Sequence, residues 1–207
     1  MAESGVSVEM NFSRAIRDIT ARIEATPQQL SKASDRAMKK TIRWLSGRVA
    51  RELSQQLGIT QKYLKKRLLV RTAGKGMDQV HILWLGAMPL AAEQAGKARQ
   101  TRKGVTVGQR KYEGAFYRSI YNADENVWIR SSRNQGYTTL SQSSRKPSSR
   151  QLAPEYAGRF PVQRLGVEIE TIAAEIFRRL DRRALDRFNT LFEQELNYAV
   201  NHEKAKK

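Results

Sequence analysis

The side chains of this sequence whose types could do chemistry are few, and most of them are cations. There is no cysteine, so thiolate catalysis, disulfides and a cysteine-based zinc finger are excluded by composition. Two histidines are present. His81 lies in the apolar run Val80-His81-Ile82-Leu83-Trp84-Leu85-Gly86 with no second histidine or serine-nucleophile motif nearby, and a hydrogen-bonded structural role is expected for it. His202 falls in a charged tail. Gly104-Val105-Thr106-Val107-Gly108 has glycines but not the Gly-x-x-x-x-Gly-Lys-Ser/Thr order of a phosphate loop, so nucleotide binding is not expected. No catalytic constellation emerges, and the expectation is a non-enzyme without metal or cofactor.

The chemistry that the sequence does offer is recognition of anions. Lys and Arg number 38 against 20 Asp and Glu, a formal charge of +18, which leaves positive surface without internal partners and implies an anionic partner. The cations gather in three stretches free of acid. Lys62, Lys65, Lys66, Arg67, Arg71 and Lys75 form the first, with Tyr63 interleaved. Lys97, Arg99, Arg102, Lys103, Arg110 and Lys111 form the second, and Arg133, Arg145, Lys146 and Arg150 the third. Each reads as a set of contacts to phosphates or acidic neighbours, and each reads equally as a solvated face or polar tether. DNA, RNA, lipid head groups and acidic proteins all fit the charge. No run of about 18 apolar residues is present, so no transmembrane helix and no membrane partner are expected. The acidic, weakly apolar stretch from Met1 to Phe12 does not read as a signal peptide.

Two amphipathic helices must position these cations. Leu30, Ala33, Ala37, Met38, Ile42, Leu45, Val49, Leu53 and Leu57 keep the helical period from about Gln28 to Leu57, after Pro27 and before Gly58, a C′ residue. A shorter stripe runs from Phe12 to Ala25. The period returns from Val167 to Asn201 through Ile172, Ile176, Leu180, Ala184, Phe188, Leu191 and Leu196, with Arg178, Arg179, Arg182, Arg183 and Arg187 opposite. Between the helices, the runs at Leu68, Val80, Val105, Phe116, Val127 and Phe160 are short, β-branched and bounded by turn residues, and read as strands. Val80–Gly86 is apolar at almost every position, which predicts a strand covered on both faces. Phe116 and Val127 belong to a hairpin, and Pro161 places the last run at a sheet edge or strand start. A Ser/Arg-rich loop spans residues 131–158 within the domain; Ser131 to Ala153 holds seven serines and should be mobile unless a neighbour orders it. The chain reads as one α+β domain over residues 1–207, a mixed or antiparallel sheet packed by the two long helices.

In their order, several of these motifs resemble the minor tail protein Z family of tailed bacteriophages. The resemblance runs through Trp44-Leu45, Leu83-Trp84-Leu85-Gly86 with Pro89 behind it, Lys103-Gly104-Val105, Gly114-Ala115-Phe116, Val127-Trp128-Ile129-Arg130 and Arg159-Phe160-Pro161-Val162, to a long final helix ending near Tyr198. The serine-rich insertion after Arg130 is longer than the family pattern, and Val162 stands where the family often has Ile. The resemblance implies a non-enzymatic tail-completion protein, assembled in the host cytoplasm into the virion, where it joins tail to head. It implies a homo-oligomeric, hexameric ring touching other tail and head–tail connector proteins and making non-specific contact with packaged DNA. Charge alone also fits a basic nucleic-acid-binding regulatory protein, although no helix-turn-helix or aromatic RNA-binding motif is visible.

Overall fold

A computed structural model describes residues 5–21, 23–74, 79–120, 124–140 and 161–203. The elements run β1 (Gly5–Asn11), α1 (Ser13–Thr20), α2 (Pro27–Leu57), α3 (Gln61–Lys65), β2 (Leu68–Ala73), β3 (Val80–Gly86) and β4 (Leu90–Ala91). There follow β5 (Ala98–Gln100), β6 (Gly104–Val107), β7 (Arg110–Glu113), β8 (Phe116–Arg118), β9 (Asn126–Arg130), β10 (Val162–Arg164), β11 (Gly166–Val167) and α4 (Glu170–Asn201). The protein is α+β with antiparallel sheets.

The long helices form as the sequence dictates. Thr26 is extended before Pro27 and closes a capping box: its backbone N–H donates to Gln29 Oε1 at 2.9 Å, and its hydroxyl accepts from Gln29 N–H at 3.4 Å. At the other end Gly58 adopts φ 60°, the left-handed conformation that stops α2 without a side-chain clash. Helix α4 runs antiparallel to α2, because Gln29 reaches Ala199, Lys40 reaches Glu195 and Glu52 reaches Arg179. The apolar stripe of α4 is buried from Ala173 to Ala199, and Phe188 stacks on Phe12 with ring centroids 4.0 Å apart.

The strand runs fall into four small sheets instead of one continuous sheet: β1-β3-β2, β10-β9-β8, β11-β4 and β5-β6-β7. One contiguous cluster of buried side chains nevertheless joins both long helices to strands of all four, from Met10 through Leu83, Val105, Ile129 and Val167 to Leu196.

Three expectations change. The segment before Phe12 is a strand, with Val6, Val8 and Met10 turned to one face, and the first helix shortens to Ser13–Thr20. Its alternation had too few large apolar residues to stand out. Strand β3 is covered on one face only: His81, Leu83 and Leu85 are buried, whereas Val80, Ile82 and Trp84 stay half-buried on the other. Residues 131–140 are tied down rather than loose. Leu140 N–H donates to the Arg164 carbonyl at 2.9 Å, Gly166 N–H donates to the Thr138 carbonyl at 2.8 Å, and Tyr137 packs edge-on against Tyr112. The remainder of the Ser/Arg-rich loop, like Phe160, lies outside the described residues.

Candidate functional site

The site is assembled where the β5–β6 hairpin meets β8 and the end of β9. Arg99 pairs with Thr106 and Gln100 with Val105; Thr101 N–H then donates to the Gly104 carbonyl at 2.7 Å. Arg102 and Lys103 are thereby left as the two residues at the tip of a tight hairpin. Gly104 is required there by close approach, since a Cβ at this position would sit 2.0 Å from the Tyr112 carbonyl oxygen. The tip is fixed to the start of β8 by Gly114 N–H donating to the Lys103 carbonyl at 2.8 Å.

Strand β8 docks on β5 through Tyr117 N–H, which donates to Gln100 Oε1 at 2.8 Å. Its end is held by the Trp128 indole N–H, 3.0 Å from the Arg118 carbonyl. After β9, the short 3-10 turn Ser131–Arg133 is pinned by Ser131 N–H donating to the Pro161 carbonyl at 3.1 Å. These contacts enclose a cleft of about 620 Å³ whose lining includes Arg102, Lys103, Arg118, Arg130 and Arg133. Ala115, Phe116, Tyr117 and Val162 contribute its apolar and aromatic surface.

Five cations from three separate segments thus converge on one concavity, and no carboxylate lines it among the described residues. None of the five forms an ion pair with a described acid. The helices differ sharply: Arg36 and Lys40 share Glu195, Arg36 also meets Glu203, and Arg48 and Arg179 share Glu52. Cations facing one another without counter-charges attract anions, and low-dielectric walls focus that attraction. A cleft of this size admits a phosphate with its attached sugar or base, and half-buried Phe116 and Tyr117 offer aromatic surface beside the guanidinium groups.

The cations singled out in the sequence separate into groups. Arg102, Lys103 and Arg133 come together in the cleft; Lys97 and Arg99 are exposed on the approach to the same hairpin. Lys62, Lys65 and Lys66 are exposed around α3, and Arg71 is exposed on β2, none of them in the cleft. Arg67 is reassigned from ligand contact to the fold: its half-buried guanidinium donates to the carbonyls of Met88 and, at 3.4 Å, Pro89. Arg110 is likewise structural, donating to the Leu57 carbonyl at the end of α2 at 2.5 Å, where a cation also suits the helix dipole. Lys75, Arg145, Lys146 and Arg150 lie outside the described residues.

Arg118 and Arg130 lie outside the cationic stretches of the sequence, each being the one charged residue of its strand. In the antiparallel β8–β9 pair they stand toward opposite ends, Arg118 opposite Asn126 and Arg130 beyond the Phe116–Trp128 pair, and it is the fold that places both in the lining of the cleft.

His81 is buried at 6% exposure with Nδ1 3.0 Å from the Thr72 hydroxyl, and its Nε2 has no partner among the described residues. Burial pushes its pKa down, Asp35 opposes and Lys39 reinforces the shift. Among the described residues no group of three or more His, Asp and Glu could hold a metal ion, and no helix is long and apolar enough to cross a membrane.

No family model, curated protein or solved structure matches the chain.

Proposed function

We propose that this chain is a structural virion protein that completes the head-proximal end of a phage tail, forming part of a ring around the DNA path and joining tail to head. The motif order described above supports the class of protein. The observation that carries the mechanism is the cleft: Arg102, Lys103, Arg118, Arg130 and Arg133 face one space without an acid among its lining. Its cations stand on a hairpin tip, strand ends and a short turn. Such an array neutralises phosphates along a backbone and has no single helix with which to read base edges in a groove. The duty proposed for it is non-specific contact with DNA phosphates or with acidic side chains of a neighbouring tail or connector protein.

The alternative, a nucleic-acid-binding regulator, draws on α4, where Arg178, Arg182, Arg183 and Arg187 are all exposed. Asp181 and Asp186 interrupt that row, and the helix is packed along α2 for most of its length.

Duplex binding by the purified chain separates the readings. The structural reading expects weak binding to unrelated sequences, with the logarithm of affinity falling against the logarithm of salt by about 0.9 per phosphate neutralised. Reversing Arg102, Lys103 and Arg133 to Glu should lower both affinity and slope, and particles carrying that variant should lose infectivity. A preference of about a thousandfold for one sequence at physiological salt would overturn the structural reading in favour of the regulator.

A further inference from the structure

The three-stranded sheet β1-β3-β2 has two open edges among the described residues, and they match one another. β1 pairs only with β3 on its inner side, and so does β2. β2 is exposed along most of its length: Leu69 is 45% and Val70 48% exposed although they point to opposite faces. An apolar edge strand carrying one charge and neither proline nor bulge is a template for another strand.

Register decides what that strand is. Glu9 and Arg71 both stand opposite Ile82, from the two sides of β3, so they lie at one level on one face of the sheet. Both are exposed and neither is ion-paired among the described residues. Val8 and Val70 share the level of Leu83, and Val6 and Leu68 that of Leu85. Extending the sheet by one further copy, without shift, therefore sets Arg71 beside the next Glu9, Val70 beside the next Val8 and Leu68 beside the next Val6. β1 and β2 run in the same direction, each antiparallel to β3, so the new pair would be parallel.

We propose that β2 of one copy receives β1 of the next, joining the chain head to tail. The two-fold alternative, β2 against β2, would bring together strands whose only formal charge is positive, each entered through Lys65 and Lys66. A head-to-tail contact closes into a ring when its rotation permits. The inference rests on the ring proposed above and supplies its contact surface.

The chain lacks cysteine, which makes the test direct. Ser7 and Leu69 are exposed and share the level of Trp84, so Ser7→Cys and Leu69→Cys place thiols across the proposed contact while leaving Glu9 and Arg71 in place. With a short bismaleimide, an equimolar mixture of the two full-length variants should yield a crosslinked dimer that neither yields alone. The doubly substituted chain should give a ladder ending in a closed species. Arg71→Glu should weaken association measured by sedimentation, and adding Glu9→Lys should restore it. Crosslinking of Leu69→Cys with itself would overturn the head-to-tail arrangement. An oligomer in sedimentation with no crosslink in any arm would overturn this surface while leaving the ring standing. A monomer at every concentration reached, with native circular dichroism in all variants, would overturn both.

Discussion

Glu52 on α2 and Arg179 on α4 form an ion pair across the two long helices, and the second oxygen of the same carboxylate accepts from Arg48 Nε at 2.7 Å one turn earlier. Burial opposes ionisation of Glu52. The hydrogen bonds from Arg48 and Arg179 outweigh it and hold the carboxyl below its ordinary value of 4.5. Because the folded pKa is depressed, the stabilisation is complete above the unfolded value and is lost as pH falls through the folded one. Glu52→Gln should lower stability at neutral pH by about 1–2 kcal/mol, since both arginines remain partly exposed and regain water. Urea midpoints measured at neutral and acid pH should converge for the wild type and the variant as the solution is acidified.

A second acid response comes from His81, whose folded pKa is lowered from 6.5 chiefly by burial. The unfolded chain takes up the proton more readily, so stability is full above 6.5 and declines as pH falls from there toward the folded value. His81→Leu keeps an apolar side chain facing the core between β1 and β2 and removes the proton uptake. The variant's denaturation midpoint should be flatter than the wild type's over that interval, and an unchanged slope would contradict this account.

Gln29 has two duties. It closes the capping box with Thr26, and its Nε2 donates to the Ala199 carbonyl at 3.0 Å, tying the start of α2 to the end of α4. Thr26→Ala should cost about 1 kcal/mol, the usual value of an N-cap. Gln29→Ala should cost more, and hydrogen exchange should rise at the last turn of α4 in that variant alone.

Arg67 and its two lysine neighbours should part company under mutation. Lys65→Glu with Lys66→Glu changes exposed side chains and should shift stability by no more than about 0.5 kcal/mol. Arg67→Glu removes the donors to the Met88 and Pro89 carbonyls and should cost about 1–3 kcal/mol. Chemical denaturation of the two variants reads the difference.

The helices were legible because their signals are local and repeated. Nine apolar positions on one stripe, Pro27 before and Gly58 after, fix α2 to within one residue. The hairpin around Asn126 was legible for the same reason, through β-branched and aromatic residues on either side of turn chemistry. How the strands are divided among sheets was not, since β1 pairs with β3 across the whole of α2, and no periodicity records so distant a pairing. The cleft was half legible. Arg102, Lys103 and Arg133 were marked by their cationic neighbours in sequence, whereas Arg118 and Arg130 become neighbours only in space. Arg67 and Arg110 show the converse, since a run of like charges does not reveal which guanidinium groups meet backbone carbonyls.

The antiparallel pairing of α2 with α4, and of β1 with β3, also sets an order of events at the ribosome. Ala33, Ala37, Leu45 and Leu53 leave the exit tunnel with their apolar stripe uncovered, and the surface that covers it is translated only after every strand. Met10 and Phe12 likewise wait for residues made far later. Closing loops of that length costs entropy before the distant contacts reward it, so the core cannot complete until α4 has been made, and forms slowly for its size. A chain stopped before Glu170 would keep its strands but not the helix that shields α2, leaving a sticky, protease-sensitive fragment.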